Sequence, residues 1–304
     1  ERLKVELRFW KLLKKEVEIE EISIRNATFD TRDFIDGVVV SGHLGELFLE
    51  SHGVVFSPET ARINEFSVKN TDVSLTLGSI ESTDTVPSEP LYWKILLDEI
   101  DFENVGFALK MPQDSLFVRT MLPKTTLKNG VIDLKEASYY VKSFGIDNAE
   151  LAYGPKEELF LQQIGLQLDS IYYCGKDIRA NIEEFVLKER SGLELVSTEG
   201  RIVSDSVLIE IPKFTMKTTA SSLDLQTKIG WDVLEMKKTG VLSAKINAEI
   251  GKGDVAKILG GRDTLFLQTY PNKPFVFRAD AEGNLNSLRL RTLEAGLAKA
   301  FELK

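Results

Sequence analysis

The chain of 304 residues has a single cysteine, Cys174, and only two histidines, His43 and His52. One cysteine excludes an intrachain disulfide and every metal or redox motif built from cysteine pairs. The histidines lie in the segment HLGELFLESH, which contains two glutamates between them. On alternating strand positions the two rings fall on opposite faces, whereas zinc needs three or four converging ligands. The sequence therefore predicts solvated histidines, no metal site and no cofactor.

Long apolar runs are also missing from the sequence. The longest unbroken ones have about four residues, whereas a membrane-spanning helix needs about 20. No spanning segment is therefore predicted within the chain. The first residue is glutamate rather than methionine, which predicts that a signal peptide or an anchor precedes this region in the intact protein.

Basic residues do not outnumber acidic ones in the sequence. The chain has 47 acidic against 38 basic residues and a net charge of −9, which disfavours nucleic acid as a partner and disfavours electrostatic docking on anionic lipid. No histidine stands in a nucleophile–base–acid arrangement, and GKGDVAKILGG lacks the spacing of a phosphate-binding loop. These absences predict a protein that is not an enzyme.

The pattern that fills the sequence is strand alternation. LKVELRF places apolar side chains on one face and charged ones on the other, and similar segments, TLFLQT among them, continue almost to the C-terminus. This alternation predicts a mainly β fold of antiparallel strands with one buried face. Only two segments are helix-like: GDVAKILGG, with Asp254 as its N-cap and Gly260 as its end, and the C-terminal TLEAGLAKAFELK.

Domain organisation follows from the uniformity of this pattern. We expect residues 1–304 to form one elongated β-rich domain with one or two short helices. The polar, proline-bearing segment ESTDTVPSEP at 81–90 has the composition of a flexible loop. It could divide the sheet into two halves, because the alternation is the same on either side.

Five segments share a further feature, an asparagine at which the alternation slips by one residue. Apolar residues precede each asparagine by four and two positions and follow it by three and five, with one lapse at Thr125. A continuous strand would place the two halves of each segment on opposite faces. The asparagines are Asn26, Asn70, Asn104, Asn129 and Asn148.

Two backbone devices would restore a single apolar face. A β-bulge or kink at the asparagine shifts the phase, and a two-residue hairpin loop that starts there has the same effect. The Asn-Gly pair at 129–130 favours a hairpin, and the other four sites favour a bulge or kink. A sheet that is apolar on one face and repeatedly kinked tends to curl, into either a closed sandwich or an open trough.

The N-terminal segment LKVELRFWKLLKKEVEIEEISIRNATFDT resembles the opening of the soluble region of AsmA-family proteins, including the TamB branch. WKILLDEIDFENVGFAL and SGLELVSTEGRIVSDSVLIEIPKFTMKTTASSLDL are similar to repeats of the Bacteroidetes members. The resemblance covers most of the chain. In the N-terminal segment it rests on Leu12, Leu13, Val17, Ile19, Ile22, Ile24 and Asn26.

The resemblance implies a curved, groove-like sheet, or β-taco, in a periplasmic protein anchored to the inner membrane. Such a groove would carry phospholipid between the inner and outer membranes without enzymatic chemistry. The alternative is a structural module that assists outer-membrane barrel proteins by scaffolding or strand addition. The residues expected to face lipid acyl chains are Ile22, Ile24, Phe29, Val73, Leu75, Phe102, Phe107, Leu109, Ile146, Leu151 and Tyr153.

Overall fold

The structure is a computed structural model, and it describes residues 2–7, 16–17, 19–32, 37–56, 58–78, 92–235, 240–260, 264–284 and 286–297. Of these residues 76% lie in strands, and the α-helices among them are three and short. The expected mainly β fold is therefore confirmed. Leu12 and Leu13, which carry part of the family resemblance, and the expected loop at 81–90 lie outside the described residues.

The chain divides into two compact units, residues 1–165 and 166–304. The division falls inside a strand, Leu159–Cys174, rather than near 81–90. The first unit contains β1 (Arg2–Leu7), β2 (Glu16–Val17), β3 (Ile19–Asp30), β4 (Val38–Phe56), β5 (Glu59–Leu77), β6 (Lys94–Met111), a 3₁₀ turn (Pro112–Asp114), β7 (Leu116–Asp133), β8 (Ser138–Tyr153) and the start of β9 (Leu159–Cys174).

Strand order in the first unit is β1-β3-β4-β5-β6-β7-β8-β9, with β2 paired to β4. Neighbours whose register is resolved are antiparallel with one exception, since β5 and β6 run parallel from Thr60↔Lys94 to Thr76↔Lys110. The expectation of a purely antiparallel sheet is wrong at this pair. Sixteen residues separate the two strands, a connection in the range that parallel strands need and far longer than a hairpin loop.

The five marker asparagines lie inside strands, and each has a positive φ between 49° and 55°. Non-glycine residues rarely adopt this left-handed region, and asparagine tolerates it best. The expected kink is therefore present at Asn26, Asn70, Asn104 and Asn148. The hairpin expected at Asn129 is wrong, because β7 continues through it and residues 128 and 130 pair with both neighbouring strands.

Four of the five kinks form one line across the sheet. Each pair of neighbouring strands keeps a one-to-one pairing of residues across this line. No strand therefore has the extra, unpaired residue that defines a β-bulge there. Asn26, Asn70, Asn104 and Asn148 lie on β3, β5, β6 and β8, which run in one direction, while the oppositely directed β4 and β7 supply Gly45 and Pro123. Counting along the registers gives the kink line as Asn26, Gly45, Asn70, Asn104, Pro123 and Asn148.

The exposure of side chains along β6 shows how the kink shifts the alternation of inward and outward side chains by one residue. Glu103 and Asn104 are exposed in succession, and the next residue, Val105, is half-buried. Asp147 and Asn148 are likewise exposed in succession before buried Ala149. Two consecutive outward side chains at the kink return the apolar residues beyond it to the face they occupied before it.

Replacing Asn104 by valine is expected to lower the free energy of unfolding by about 1–2 kcal/mol, because a branched Cβ opposes the left-handed conformation. Replacing it by glycine removes the same side-chain hydrogen bond, from Asn104 Nδ2 to Asn70 Oδ1 at 3.2 Å, but imposes no such strain. Urea unfolding of both variants measures the difference. A valine variant as stable as the glycine variant would argue against a strained backbone at the kink.

The second unit completes β9 and adds antiparallel strands in sequence order. Expected helix positions need three corrections here. The N-cap of this helix is Gly251, three residues before Asp254, so the helix begins at Lys252, although Gly260 ends it in the left-handed conformation as expected. TLFLQT is a helix, and residues 292–297 of the expected C-terminal helix are strand.

The elements are β10 (Asp177–Glu189), β11 (Glu194–Ser204), β12 (Leu208–Thr218), β13 (Ser222–Gly230), α1 (Trp231–Leu234), β14 (Leu242–Ile250), α2 (Lys252–Leu259), α3 (Thr264–Thr269), β15 (Phe275–Asn284) and β16 (Ser287–Leu297).

Asp254 anchors α2 to the turn between β12 and β13. The residue is only 3% exposed, and its carboxylate accepts hydrogen bonds from Ser221 Oγ at 2.6 Å, Thr219 Oγ1 at 3.2 Å and the Thr218 hydroxyl. Burial alone would raise the pKa of this carboxyl, but the three hydroxyls and the charge of Lys257 outweigh it, so its pKa lies below the ordinary value.

Replacing Asp254 by asparagine is expected to cost about 1–3 kcal/mol at neutral pH, because the hydroxyls lose a charged acceptor. A depressed folded-state pKa stabilises the fold above the unfolded pKa of about 3.9, and this stabilisation disappears as pH falls through the folded value. The difference in unfolding free energy between wild type and D254N should therefore be constant near neutral pH and shrink in acid. A difference that does not change with pH would contradict the role of the charge.

Candidate functional site

The candidate site is the apolar face of the first unit, built from rows of side chains that cross β3 to β8. Two rows precede the kink line. The row directly after it, Ala27–Leu44–Thr71–Val105–Leu122–Ala149, is partly buried, and two larger rows lie beyond that one; each row is fixed by the strand registers. The preceding rows are Ile22–Leu49–Phe66–Ile100–Leu127–Phe144 and Ile24–Leu47–Val68–Phe102–Thr125–Ile146. The following rows are Phe29–Gly42–Val73–Phe107–Thr120–Leu151 and Val40–Leu75–Leu109–Val118–Tyr153.

All eleven residues expected to face lipid belong to these four rows, and none of them is buried. Phe107 is 36% and Tyr153 48% exposed, and the other nine are half-buried. The rings of Phe66 and Phe102 meet edge to face with centroids 6.2 Å apart. The rows therefore pack side by side as one surface without becoming a sealed core.

Sequence reasoning missed the members of these rows on β4 and β7. Leu47, Leu49, Val118 and Leu127 complete the apolar face, but their strands have no asparagine at the kink line to mark the phase. The available signal was Gly45 and Pro123, residues that favour breaks in a strand. Thr125 is the polar gap in the face, 7% exposed, and its Oγ1 has no hydrogen-bond partner among the described residues.

The opposite face of the same strands carries alternating charges. One position before the kink line the registers align Arg25, Glu46, Lys69, Glu103, Lys124 and Asp147, which alternate in sign across six strands. Arg25 and Glu46 are 2.9 Å apart, and Lys69 and Glu103 are 3.3 Å apart. Opposite charges on paired strands stabilise one register over its alternatives, so this face fixes the alignment that the apolar face requires.

A hollow of about 450 Å³ lies on the first unit over the half of the strands that follows the kink line. Apart from Thr120, its polar residues each stand one position along their strand from a residue of the apolar rows. Successive side chains of a strand point to opposite faces, so these polar residues belong to the charged face. Asp72 lies over Gly106, with its Oδ1 2.1 Å from the place where a Cβ would stand. Arg119 pairs with Glu157 at 2.7 Å. The lining residues are Ser41, Gly42, His43, Asp72, Val73, Ser74, Gly106, Phe107, Ala108, Arg119, Thr120, Met121, Glu150, Ala152 and Phe160.

Both histidines are exposed, as expected, and His52 Nε2 lies 3.3 Å from Glu50. Within the described ranges no three side chains of histidine, cysteine, aspartate or glutamate are grouped to hold a metal ion. Across the same ranges no helix has the length and apolar character to span a membrane.

Apolar burial is low in the chain. Only Val68, Leu97, Ala149, Ala152 and Val233 are apolar residues counted as buried among those described. Comparison with known proteins finds no matching family model and no matching curated protein.

Proposed function

We propose that the apolar face of the first unit binds the acyl chains of phospholipids and that the protein moves lipid between the two membranes of a cell envelope without enzymatic chemistry. The observation that carries the proposal is the set of four apolar rows, which cross five or six strands and in which all side chains except Val68 and Thr125 are half-buried or exposed. Contiguous exposed apolar surface of this kind marks interaction sites.

The physical basis of binding is the removal of hydrocarbon from water. Each acyl CH₂ that moves from water onto the face gains about 0.8 kcal/mol. No directional polar contact is needed, since the only polar groups on the side chains of the four rows are the hydroxyls of Thr120, Thr125 and Tyr153.

The cellular setting belongs to the same proposal. We assign the chain to the AsmA family, as a TamB-like protein of the Bacteroidetes type whose periplasmic body is anchored in the inner membrane. The support is the sequence resemblance together with a sheet of long strands that leaves an apolar face partly open. Lipid and, in the envelope, outer-membrane barrel proteins are the expected partners.

The test is to purify the chain from a Gram-negative host, extract it with organic solvent and identify bound lipid by mass spectrometry. Copurified phospholipid, together with uptake of a fluorescent phospholipid by the delipidated protein, is the expected result. Protein that emerges free of lipid and takes up no fluorescent analogue would overturn the proposal.

A second candidate function, strand addition to a client barrel protein, is favoured by the edge strand of the first unit. Leu3 and Val5 on β1 are 68% and 48% exposed, and an exposed apolar edge is a template for another strand. Leu3 and Val5 pair with Ile24 and Ile22 and therefore extend two of the apolar rows, so the edge is tested at Lys4, which alternates onto the other face. Proline at Lys4 removes a backbone N–H of β1 without adding charge to the apolar face, and it should reduce client binding while lipid uptake persists. Loss of lipid uptake with client binding intact would exclude this function for β1.

A further inference from the structure

The hollow of about 450 Å³ lies on the charged face of the first unit, on the opposite side of the sheet from the apolar rows. Its base consists of two rows of residues that cross β4 to β8, and the strand registers fix both rows. The hollow is therefore built by five aligned strands of one unit and not by a loop. The two rows are His43–Asp72–Gly106–Met121–Glu150 and Ser41–Ser74–Ala108–Arg119–Ala152.

Small residues create the hollow. Five of the ten positions in the two rows are glycine, alanine or serine, whereas the next outward position on β6 is the exposed Lys110. Gly106 is buried, and Ala152 is only 2% exposed, so the floor of the hollow lies close to the strand backbone. Its volume falls in the range of about 300–1,000 Å³ that small-molecule sites occupy.

Two carboxylates stand at the ends of the first row, Asp72 on β5 and Glu150 on β8. Three strand spacings separate the two positions, a distance of about 14 Å. The Asp72 carboxylate leans over Gly106 and thus toward the middle of the hollow. Between the two acids the row holds only Gly106 and Met121, which carry no charge.

Neither carboxylate has a hydrogen bond or an ion pair with another of the described residues. Elsewhere on this face opposite charges pair across strands, as Arg25 and Glu46 do at 2.9 Å. The guanidinium in the hollow, that of Arg119, is held by Glu157 at 2.7 Å. Two acids with no cationic partner, at fixed positions around a formed hollow, leave room for a cationic ligand.

We propose that the hollow binds a linear organic polyamine. One ammonium group would lie at Asp72 and another at Glu150, each in a charge-assisted hydrogen bond. The methylene chain between them would cross Gly106 and lie against Met121 and Ala108, where it is removed from water. The site lies on the opposite face from the acyl-binding rows, so either site can work or fail without the other.

The experiment is isothermal titration calorimetry of the full chain with spermine, which is long enough to reach both carboxylates. Putrescine, a shorter diamine, reaches only one of them and should bind at least tenfold more weakly. The double variant D72N/E150Q should also bind spermine at least tenfold more weakly. Both acids are exposed, so the variant should keep the circular dichroism spectrum and the fluorescent-lipid uptake of wild type.

Two further variants separate the shape of the site from charge alone. The matched control is E183Q/E184Q, which removes the same charge from two exposed positions on β10 in the second unit, and its affinity for spermine should equal that of wild type. Ala108→Phe fills the floor, keeps both acids and should weaken spermine binding at least tenfold. The comparison of spermine with putrescine needs no variant and stands even if A108F misfolds.

Four results would each overturn the proposal: no binding of spermine by wild type, equal affinity for putrescine, unchanged affinity in D72N/E150Q, or an equal loss in E183Q/E184Q. A folded A108F with wild-type affinity would do the same, because the acids would then attract spermine without the hollow.

Discussion

Replacing Gly45 by valine is expected to destabilise the first unit by about 3 kcal/mol, the upper end of the range for overpacking. A Cβ at residue 45 would lie 2.3 Å from the carbonyl oxygen of Asn70 and 2.7 Å from that of Lys69. Both obstacles are backbone of β5, which is paired on its other side with β6. They cannot move without shifting the kink line.

The control for this change is Gly78→Ala. A Cβ there meets its nearest neighbour at 3.5 Å, an ordinary contact, and the residue is exposed at the end of β5. Chemical unfolding followed by circular dichroism should show a lower midpoint for G45V and a midpoint near wild type for G78A. If G45V unfolds with the wild-type midpoint, β4 and β5 do not approach as described at the kink line.

Replacing Phe107 by aspartate is expected to reduce fluorescent-lipid uptake at least tenfold while costing only about 1 kcal/mol of stability. Phe107 lies between Val73 and Thr120 in the apolar rows and is 36% exposed. A carboxylate at this position keeps access to water in the empty protein, but an acyl chain laid over it would remove that water at high cost.

Lys110→Asp is the matched control, because Lys110 lies three residues along β6, is exposed, and alternates onto the charged face. Uptake by K110D should match wild type. Unfolding of F107D by several kcal/mol would mean that the face is a closed protein core. Unchanged uptake by a folded F107D would remove these rows from lipid binding.

The kinks were predictable because each requires a left-handed backbone conformation, and asparagine is the non-glycine residue that tolerates this conformation best. The phase slip at Asn26, Asn70, Asn104 and Asn148 was visible from apolar spacing, and the left-handed conformation accounts for the residue type. Asn129 shows where that reasoning stops. Asn-Gly suits a hairpin loop, but β7 pairs with β6 and β8 on both sides of Asn129, so the strand continues through a kink instead of turning back.

Other features were hidden because they depend on partners distant in sequence. Alternation does not encode strand direction, so the parallel β5–β6 pair could not be distinguished from an antiparallel one. Short apolar segments fit either period, which is why TLFLQT, a helix, was expected to be a strand. Leu293 and Leu297, four apart, fit a helix equally well, but a register shift opposite Asp280–Ala281 places Leu290 and Leu293 on one side of β16.

The contacts of Asp254 were not predictable either. Asp254 was expected at the N-cap, but its position inside the first turn lets it bind three hydroxyls of the β12–β13 turn. Such a cluster is assembled from segments more than 30 residues apart.

The most direct test of the central claim is to locate bound lipid on the sheet. A photoreactive phenylalanine analogue placed at Phe107 or Tyr153 on the apolar face, and at Lys110 or Glu150 on the charged face, would be irradiated in protein loaded with phospholipid. Adducts of lipid at 107 and 153, with none at 110 and 150, are the predicted result. Equal labelling of the two faces, or labelling of the charged face alone, would contradict the account.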